Sequence, residues 1–167
     1  RDSVGKPLPG MQVRIDKPDA DGVGEIHLTG PMVMTGYIDK EPIDGDLNTD
    51  DIGYVDEDGF VYILNRRKDL IISGGENIYP KELEDLVYTL PSVKECAVVP
   101  VPDPKWGQVP AIFVAFHDGE SMTADEIVSF MTKSLAKYKV PKYVKILSAL
   151  PRNGTGKIVR NELRLED

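Results

Sequence analysis

The chain has 167 residues, 41% hydrophobic and 29% charged, the balance of an ordinary globular protein with room for one domain or two small ones. A net charge of −8 argues against a nucleic-acid backbone binder, and no apolar stretch reaches the length that spans a bilayer. A single cysteine, Cys96, excludes an internal disulfide and a Cys-rich metal site, and predicts a reducing cytosol.

The chain opens on Arg1-Asp2-Ser3, with neither a starting Met nor the charge-then-apolar order of a signal peptide, which predicts a piece of a longer protein. Residues 11–15 and 24–28 alternate apolar and polar side chains, as half-buried strands do. Asp56-Glu57-Asp58-Gly59 separates two further apolar runs, 52–55 and 60–64, a hairpin signal. Beyond residue 66 the character changes to alternating strand and helix. Residues 70–72 read as a short strand. Pro80 suits a first helical position, and Leu83, Leu86, Val87 and Leu90 follow at helical spacing until Pro91. Residues 96–99 and 112–116 are β-rich. Thr123 and Glu126 form a capping-box signature ahead of Ile127, Phe130, Met131 and Leu135. A last strand at 143–147 precedes a Gly-rich basic loop at 151–157. The expected fold is therefore α+β. An incomplete β-rich part at 1–67 leads into a compact domain at 68–167, with a small, mostly antiparallel sheet and flanking helices.

Five segments carry chemistry-bearing residues. In residues 66–80, RRKDLIISGGENIYP, the Gly74-Gly75 pair lets backbone pass close to a narrow ligand or make a tight strand-to-helix turn. In LPRNGTGKIVR, Gly154 and Gly156 make a mobile loop that presents Lys157 to a phosphate or developing charge; the plain alternative is a frayed tail. It is not a Walker A loop, because Pro151 and Ile158 stand where Gly and Ser or Thr are needed. In NTDDIG a carboxylate can accept hydrogen bonds from sugar hydroxyls, or simply close an Asx turn. In DPKWGQ the lone tryptophan, Trp106, is a tunnel wall or a cap on a core edge. Five lysines between residues 133 and 145 are a solvated face or a greeting for an anion. His27 and His117 have no metal-ligand spacing and no Ser-His-Asp arrangement around them.

The order of these segments is more specific than any one of them. SVGKPLPG, GEIHLTGPMVMTGY, NTDDIGYVDEDGFVYILNRRKDLIISGGENIYPKELE, DPKWGQ, KYKVPKYV and LPRNGTGKIVRNEL together resemble the C-terminal part of the adenylate-forming enzymes. Those are the acyl-CoA synthetases, the luciferases and the adenylation domains of peptide synthetases. RKDLIISGGENIYP followed by WGQ is similar to the acyl- and aryl-CoA synthetase branch. The resemblance implies that residues 1–67 end a large N-terminal domain, as part of a distorted barrel, and that 68–167 is a mobile lid domain. It implies a ligase that uses ATP with Mg2+, a carboxylic acid and CoA, with no metal held by this chain. It further implies that Asp51 binds the ribose, that Arg66 contacts the nucleotide, that Lys68 is the hinge and that Lys157 drives adenylation. Ser73, Gly74, Gly75, Glu76 and Trp106 would line the CoA tunnel, and Lys137, Lys139 and Lys142 would meet CoA phosphates. The family's Thr-Gly-Asp motif departs here to Thr49-Asp50-Asp51. Its phosphate loop and acyl pocket lie in an N-terminal part outside this chain, so the chain alone is expected to catalyse neither half-reaction. The partner implied is that N-terminal part, with no nucleic acid and no membrane. The readings from other classes are an adenylation domain that loads a carrier protein and a non-catalytic binding module.

Overall fold

The computed structural model describes residues 3–165. They divide into two compact units, one ending at Lys68 and the other starting at Asp69.

The first unit is a four-stranded antiparallel sheet in sequence order: β1 (Gln12–Asp16), β2 (Gly24–Thr29), β3 (Leu47–Val55) and β4 (Val61–Arg66). The turn predicted at 56–59 joins β3 to β4. Asp56 Oδ1 accepts the N–H groups of Asp58 (3.1 Å) and Phe60 (2.8 Å), and Gly59 supplies the left-handed backbone at φ +83°. Tyr54 and Tyr62 stack as cross-strand partners with ring centroids 4.8 Å apart. β3 starts five residues earlier than the apolar run at 52–55 indicates. After Leu47 its first half is polar: Asn48, Thr49, Asp50 and Asp51 are the side chains discussed below.

The second unit is the expected α+β domain. Its five-stranded sheet has the order β6 (Glu76–Ile78), β5 (Ile71–Ser73), β8 (Gly107–Phe116), β7 (Val93–Asp103). β9 (Tyr143–Ile146) runs parallel to β8 over Ala111 to Val114, and every other pairing is antiparallel. Helix α1 (Pro80–Val87) begins on Pro80 as predicted. Helix α2 (Ala124–Thr132) begins on the predicted capping box: Glu126 N–H donates to Thr123 Oγ1 (3.2 Å) and Thr123 N–H to Glu126 Oε2 (2.7 Å).

Both faces of the β7–β8 ribbon are buried, which is why residues 96–99 and 112–116 read as continuous apolar runs. One face sends Cys96, Val98, Ile112 and Val114 against Leu83 and Val87 of α1 and Ile127 and Met131 of α2. The other sends Ala97, Val99, Ala111, Phe113 and Ala115 against the C-terminal segment, through Leu150, Ile158 and Leu163. The C-terminal segment is thus a structural layer, and Lys157 sits beside one of its core anchors. Among the described residues, no helix is long and apolar enough to cross a membrane.

Candidate functional site

In the first unit, Asp51 and Arg66 are direct partners across β3 and β4. Arg66 Nε lies 2.8 Å from Asp51 Oδ1, and Arg66 Nη1 donates to the Thr49 carbonyl at 3.0 Å. Thr49 Oγ1 accepts the Asp51 N–H (3.2 Å) and donates to the Ile26 carbonyl (2.9 Å), tying the motif to β2. Partial burial pushes the Asp51 carboxyl above its ordinary value; Arg66 pulls it back, and Asp50 adds a smaller push. Asp50 has φ +59° and hydrogen-bonds through its N–H to Asn48 Oδ1 at 2.8 Å. A left-handed residue is what a motif glycine supplies. Aspartate is among the few L-residues that reach this region readily, so the departure keeps the backbone and adds a charge. Lys68 lies in a short 3-10 turn, Arg67–Asp69, at the border of the two units.

In the second unit, Gly74 and Gly75 do not lead into a helix. They are the two-residue turn of a hairpin, β5 to β6, with Ser73 paired to Glu76 and φ of +60° and +91°. Two successive positive φ values are the signature of a primed hairpin turn, which favours glycine at both places. The WGQ segment splices this hairpin to β8. The two strands share one ladder pair, Ser73 with Gly107, and on either side of it the Trp106 carbonyl accepts the Gly74 N–H (2.9 Å) and Gln108 Oε1 accepts the Ile72 N–H (3.1 Å). Ser73 is buried there, while Glu76 is exposed.

Trp106 is held from behind by Asp103, a residue the sequence reading did not single out. Asp103 Oδ1 accepts the N–H groups of Lys105 and Trp106, both at 2.9 Å, and Oδ2 meets Lys142 Nζ at 2.6 Å. Lys105 Nζ sits 4.6 Å above the Trp106 ring. The lysine cluster is therefore largely paired within the chain: Lys142 with Asp103, and Lys139 with Glu82 at 2.8 Å.

Two predictions arise here. An added Cβ on Gly74 would lie 2.7 Å from Trp106 Cε3, in a backbone region that costs an L-residue about 1 kcal/mol or more. Gly74→Ala should therefore swing the half-exposed indole outward and shift its emission to the red, a signal that Trp106 alone supplies. Unchanged emission would mean that the ring does not rest on Gly74. The Lys142 hydrogen bond, followed by the Trp106 and Lys105 N–H groups, holds the Asp103 carboxyl down at about 2, against an ordinary 3.8. The folded-state value lies below the unfolded one, so this stabilisation is complete above about pH 4 and is lost as the pH falls towards 2. The stability gap between the native chain and Asp103→Asn, read from denaturation midpoints, should be constant above pH 4 and close below it. A gap that stays level down to pH 2 would remove the charge from the account.

The Lys157 loop is not a loose tail. Arg152 and Ile158 form a β-bridge, Val159 N–H donates to the Pro151 carbonyl (2.8 Å), and Asn153 and Lys157 exchange backbone and side-chain hydrogen bonds. The loop is anchored towards the Glu95 end of β7, and the Gly74–Trp106 site at the Asp103 end. At about 3.3 Å per residue, Glu95 and Asp103 stand roughly 26 Å apart along the strand. The fold thus brings Ser73, Gly74 and Trp106 together, pairs Asp51 with Arg66, and anchors the Lys157 loop away from the glycine hairpin. Among the described residues, no group of three or more His, Cys, Asp or Glu side chains is placed to hold a metal ion.

Residues 82–157 match the model of the AMP-binding enzyme C-terminal domain. The chain is similar to the C-terminal portion of the adenylate-forming enzymes. It is 54% identical over 162 residues to 2-succinylbenzoate–CoA ligase of Lactococcus lactis subsp. lactis (strain IL1403), and 50% identical over 175 aligned positions to that of Bacillus cereus (strain Q1). Each match takes in 97% of this chain and 35% of the relative, so the chain spans about a third of the length of these relatives. Among solved structures, o-succinylbenzoate CoA synthetase (MenE) from Bacillus subtilis, in complex with the acyl-adenylate intermediate OSB-AMP, superimposes with a TM-score of 0.88. It is 40% identical, and the match covers 99% of this chain and 36% of that one. ATP-bound MatB from Rhodopseudomonas palustris gives 0.86 at 36% identity, over 97% of this chain and 35% of that one.

Proposed function

We propose that this chain is the C-terminal portion of an ATP-dependent carboxylate–CoA ligase, a 2-succinylbenzoate–CoA ligase of menaquinone biosynthesis working in the cytoplasm. The observation that carries this is the 54% identity to the Lactococcus lactis enzyme across 97% of the chain. In the first half-reaction the substrate carboxylate attacks the α-phosphorus of ATP, which enters with its Mg2+, giving acyl-adenylate and pyrophosphate. In the second, the CoA thiol displaces AMP. The residues fit a division of labour. Asp51 accepts hydrogen bonds from the ribose hydroxyls, and Arg66 both fixes that carboxylate and faces the nucleotide. Lys157 offsets charge that builds on the phosphate. Ser73, Gly74, Gly75, Glu76 and Trp106 border the passage for the pantetheine arm. Lys142 serves there by fixing the Trp106 loop through Asp103, Lys139 is held by Glu82, and Lys137 is left as the candidate for CoA phosphates. The turn at Lys68 is the hinge, because the two sets of residues do different jobs at one reaction centre and a few residues can absorb the rotation.

The test is ATP–pyrophosphate exchange by the complete ligase with a panel of carboxylic acids. 2-Succinylbenzoate should support exchange with the highest kcat/KM. Another aryl or fatty acid in first place would keep the ligase and overturn the substrate. A carrier-protein thiol accepting the acyl group in preference to CoA would overturn the ligase class.

A further inference from the structure

We propose that Asn153 is a positioning residue for Lys157, gripping both of its backbone polar groups so that the ammonium is delivered from a fixed turn. The inference rests on the reading above, in which Lys157 acts in acyl-adenylate formation. Asn153 Oδ1 accepts the Lys157 N–H at 2.9 Å, and the Asn153 N–H donates to the Lys157 carbonyl at 2.9 Å. The same Oδ1 accepts from Thr155 N–H (3.1 Å) and Thr155 Oγ1 (2.8 Å), and the Gly156 N–H donates to the Asn153 carbonyl (2.9 Å). One side-chain oxygen thus organises the turn, with Gly156 taking the left-handed position at φ +81°.

The turn is itself held at both ends by carboxylates of the domain core. Before it, Glu95 accepts the Leu150 N–H (3.0 Å) and the Arg152 guanidinium (2.7 Å), and Arg152 Nη1 also donates to the Gly156 carbonyl. After it, Arg160 pairs with Glu84 and donates to the Val98 carbonyl at 2.9 Å. A lysine side chain has four rotatable bonds and no stiffness of its own, so the place its ammonium reaches depends on where its backbone is fixed. The outer anchors fix the ends of the loop. Among the described residues, Asn153 is the one that hydrogen-bonds the backbone of Lys157 itself. A misplacement of about 1 Å at a reacting centre costs on the order of 10²-fold in rate, so loosening this turn should be felt in chemistry more than in folding.

Three variants test this: Asn153→Ala, Asn153→Asp, which keeps an oxygen acceptor, and Lys157→Ala as the control. In the 167-residue chain, amide hydrogen exchange at Lys157 should be slow in the native form and in Asn153→Asp, and at least about tenfold faster in Asn153→Ala. In the complete ligase, Asn153→Ala should lower kcat for pyrophosphate exchange about 10- to 100-fold with little change in the KM for ATP. Thioester formation from supplied acyl-adenylate should change less than about twofold, and Asn153→Asp should restore most of the exchange rate. Retained exchange in Lys157→Ala would overturn the role of Lys157 on which the inference stands. Loss in Lys157→Ala with none in Asn153→Ala would overturn the positioning role alone. So would equal loss in both half-reactions, or no recovery in Asn153→Asp.

Discussion

Lys157→Ala in the complete ligase is expected to cut acyl-adenylate formation by about 10²- to 10³-fold, the usual cost of removing one preorganised group that meets developing charge. Thioester formation from supplied acyl-adenylate should continue near the native rate. The expectation comes from where the chain puts its parts. Lys157 stands on a braced loop anchored towards the Glu95 end of β7. The glycine hairpin and Trp106 lie at the Asp103 end of that ribbon, spliced to β8 through Gly74 and Gln108. A residue at one end should not govern chemistry served by the other. Pyrophosphate exchange measures the first step and acyl transfer from synthetic adenylate the second, so the two can be compared on one protein. Equal losses in both would refute the assigned division. Lys157→Arg should recover only part of the first step, because a planar guanidinium cannot reproduce a compact ammonium.

The contrast between the two sites also shows where the sequence was readable. Helix starts were plain, because Pro80 and the Thr123–Glu126 box act through neighbouring backbone and leave their mark within three residues. Strand lengths were hidden by proline. Pro100 and Pro110 face each other in the β7–β8 ladder, which a reading of proline as a strand breaker shortens to 96–99 and 112–116. β7 tolerates its prolines because it is an edge strand, and Pro110 falls between the partner segments of β5 and β9 on β8. The residues around Gly74-Gly75 fit a ligand loop or a strand-to-helix turn but do not reveal a hairpin, because β6 has three residues, two of them polar, too few to show a period. The motifs pointed to Asp51, Arg66, Trp106 and Lys157. They did not point to Asp103, Gln108 or Asn153, which act by satisfying backbone groups and not by facing outward. Such roles become visible only when the register is known. A bulge between Ile52 and Gly53 shifts the β3–β4 register next to the Asp51–Arg66 pair, and nothing in the residue types announces it.

The ion pair between Glu84 and Arg160 has no sequence signal at all, since its members lie 76 positions apart, yet its loss should be strongly damaging to the second unit. Glu84 is buried on α1. Its Oε1 accepts the Val98 N–H at 2.7 Å, its Oε2 meets Arg160 Nη2 at 3.0 Å, and Arg160 returns a hydrogen bond to the Val98 carbonyl. The pair therefore ties helix α1, strand β7 and the C-terminal layer at one point. Glu84→Ala leaves an arginine largely surrounded by protein without its counter-charge, and also strips the acceptor from Val98. Breaking a fully buried pair from one side costs about 3–5 kcal/mol; with the Arg160 side chain a third exposed, the loss here should fall towards the lower end, still above that of an exposed pair. The guanidinium midpoint should fall accordingly, with an unchanged slope if unfolding stays two-state. Glu84→Ala combined with Arg160→Leu should cost less than the sum of the two single changes, because the second removes the stranded charge. The Lys81–Asp85 pair, exposed on the same helix, provides the internal contrast: Asp85→Ala should cost less than about 1 kcal/mol. Equal losses for Glu84→Ala and Asp85→Ala would show that burial of the Glu84 carboxylate contributes nothing special. Losses in the expected ratio would show that burial of the Glu84 carboxylate is what makes this junction of α1, β7 and the C-terminal layer strong.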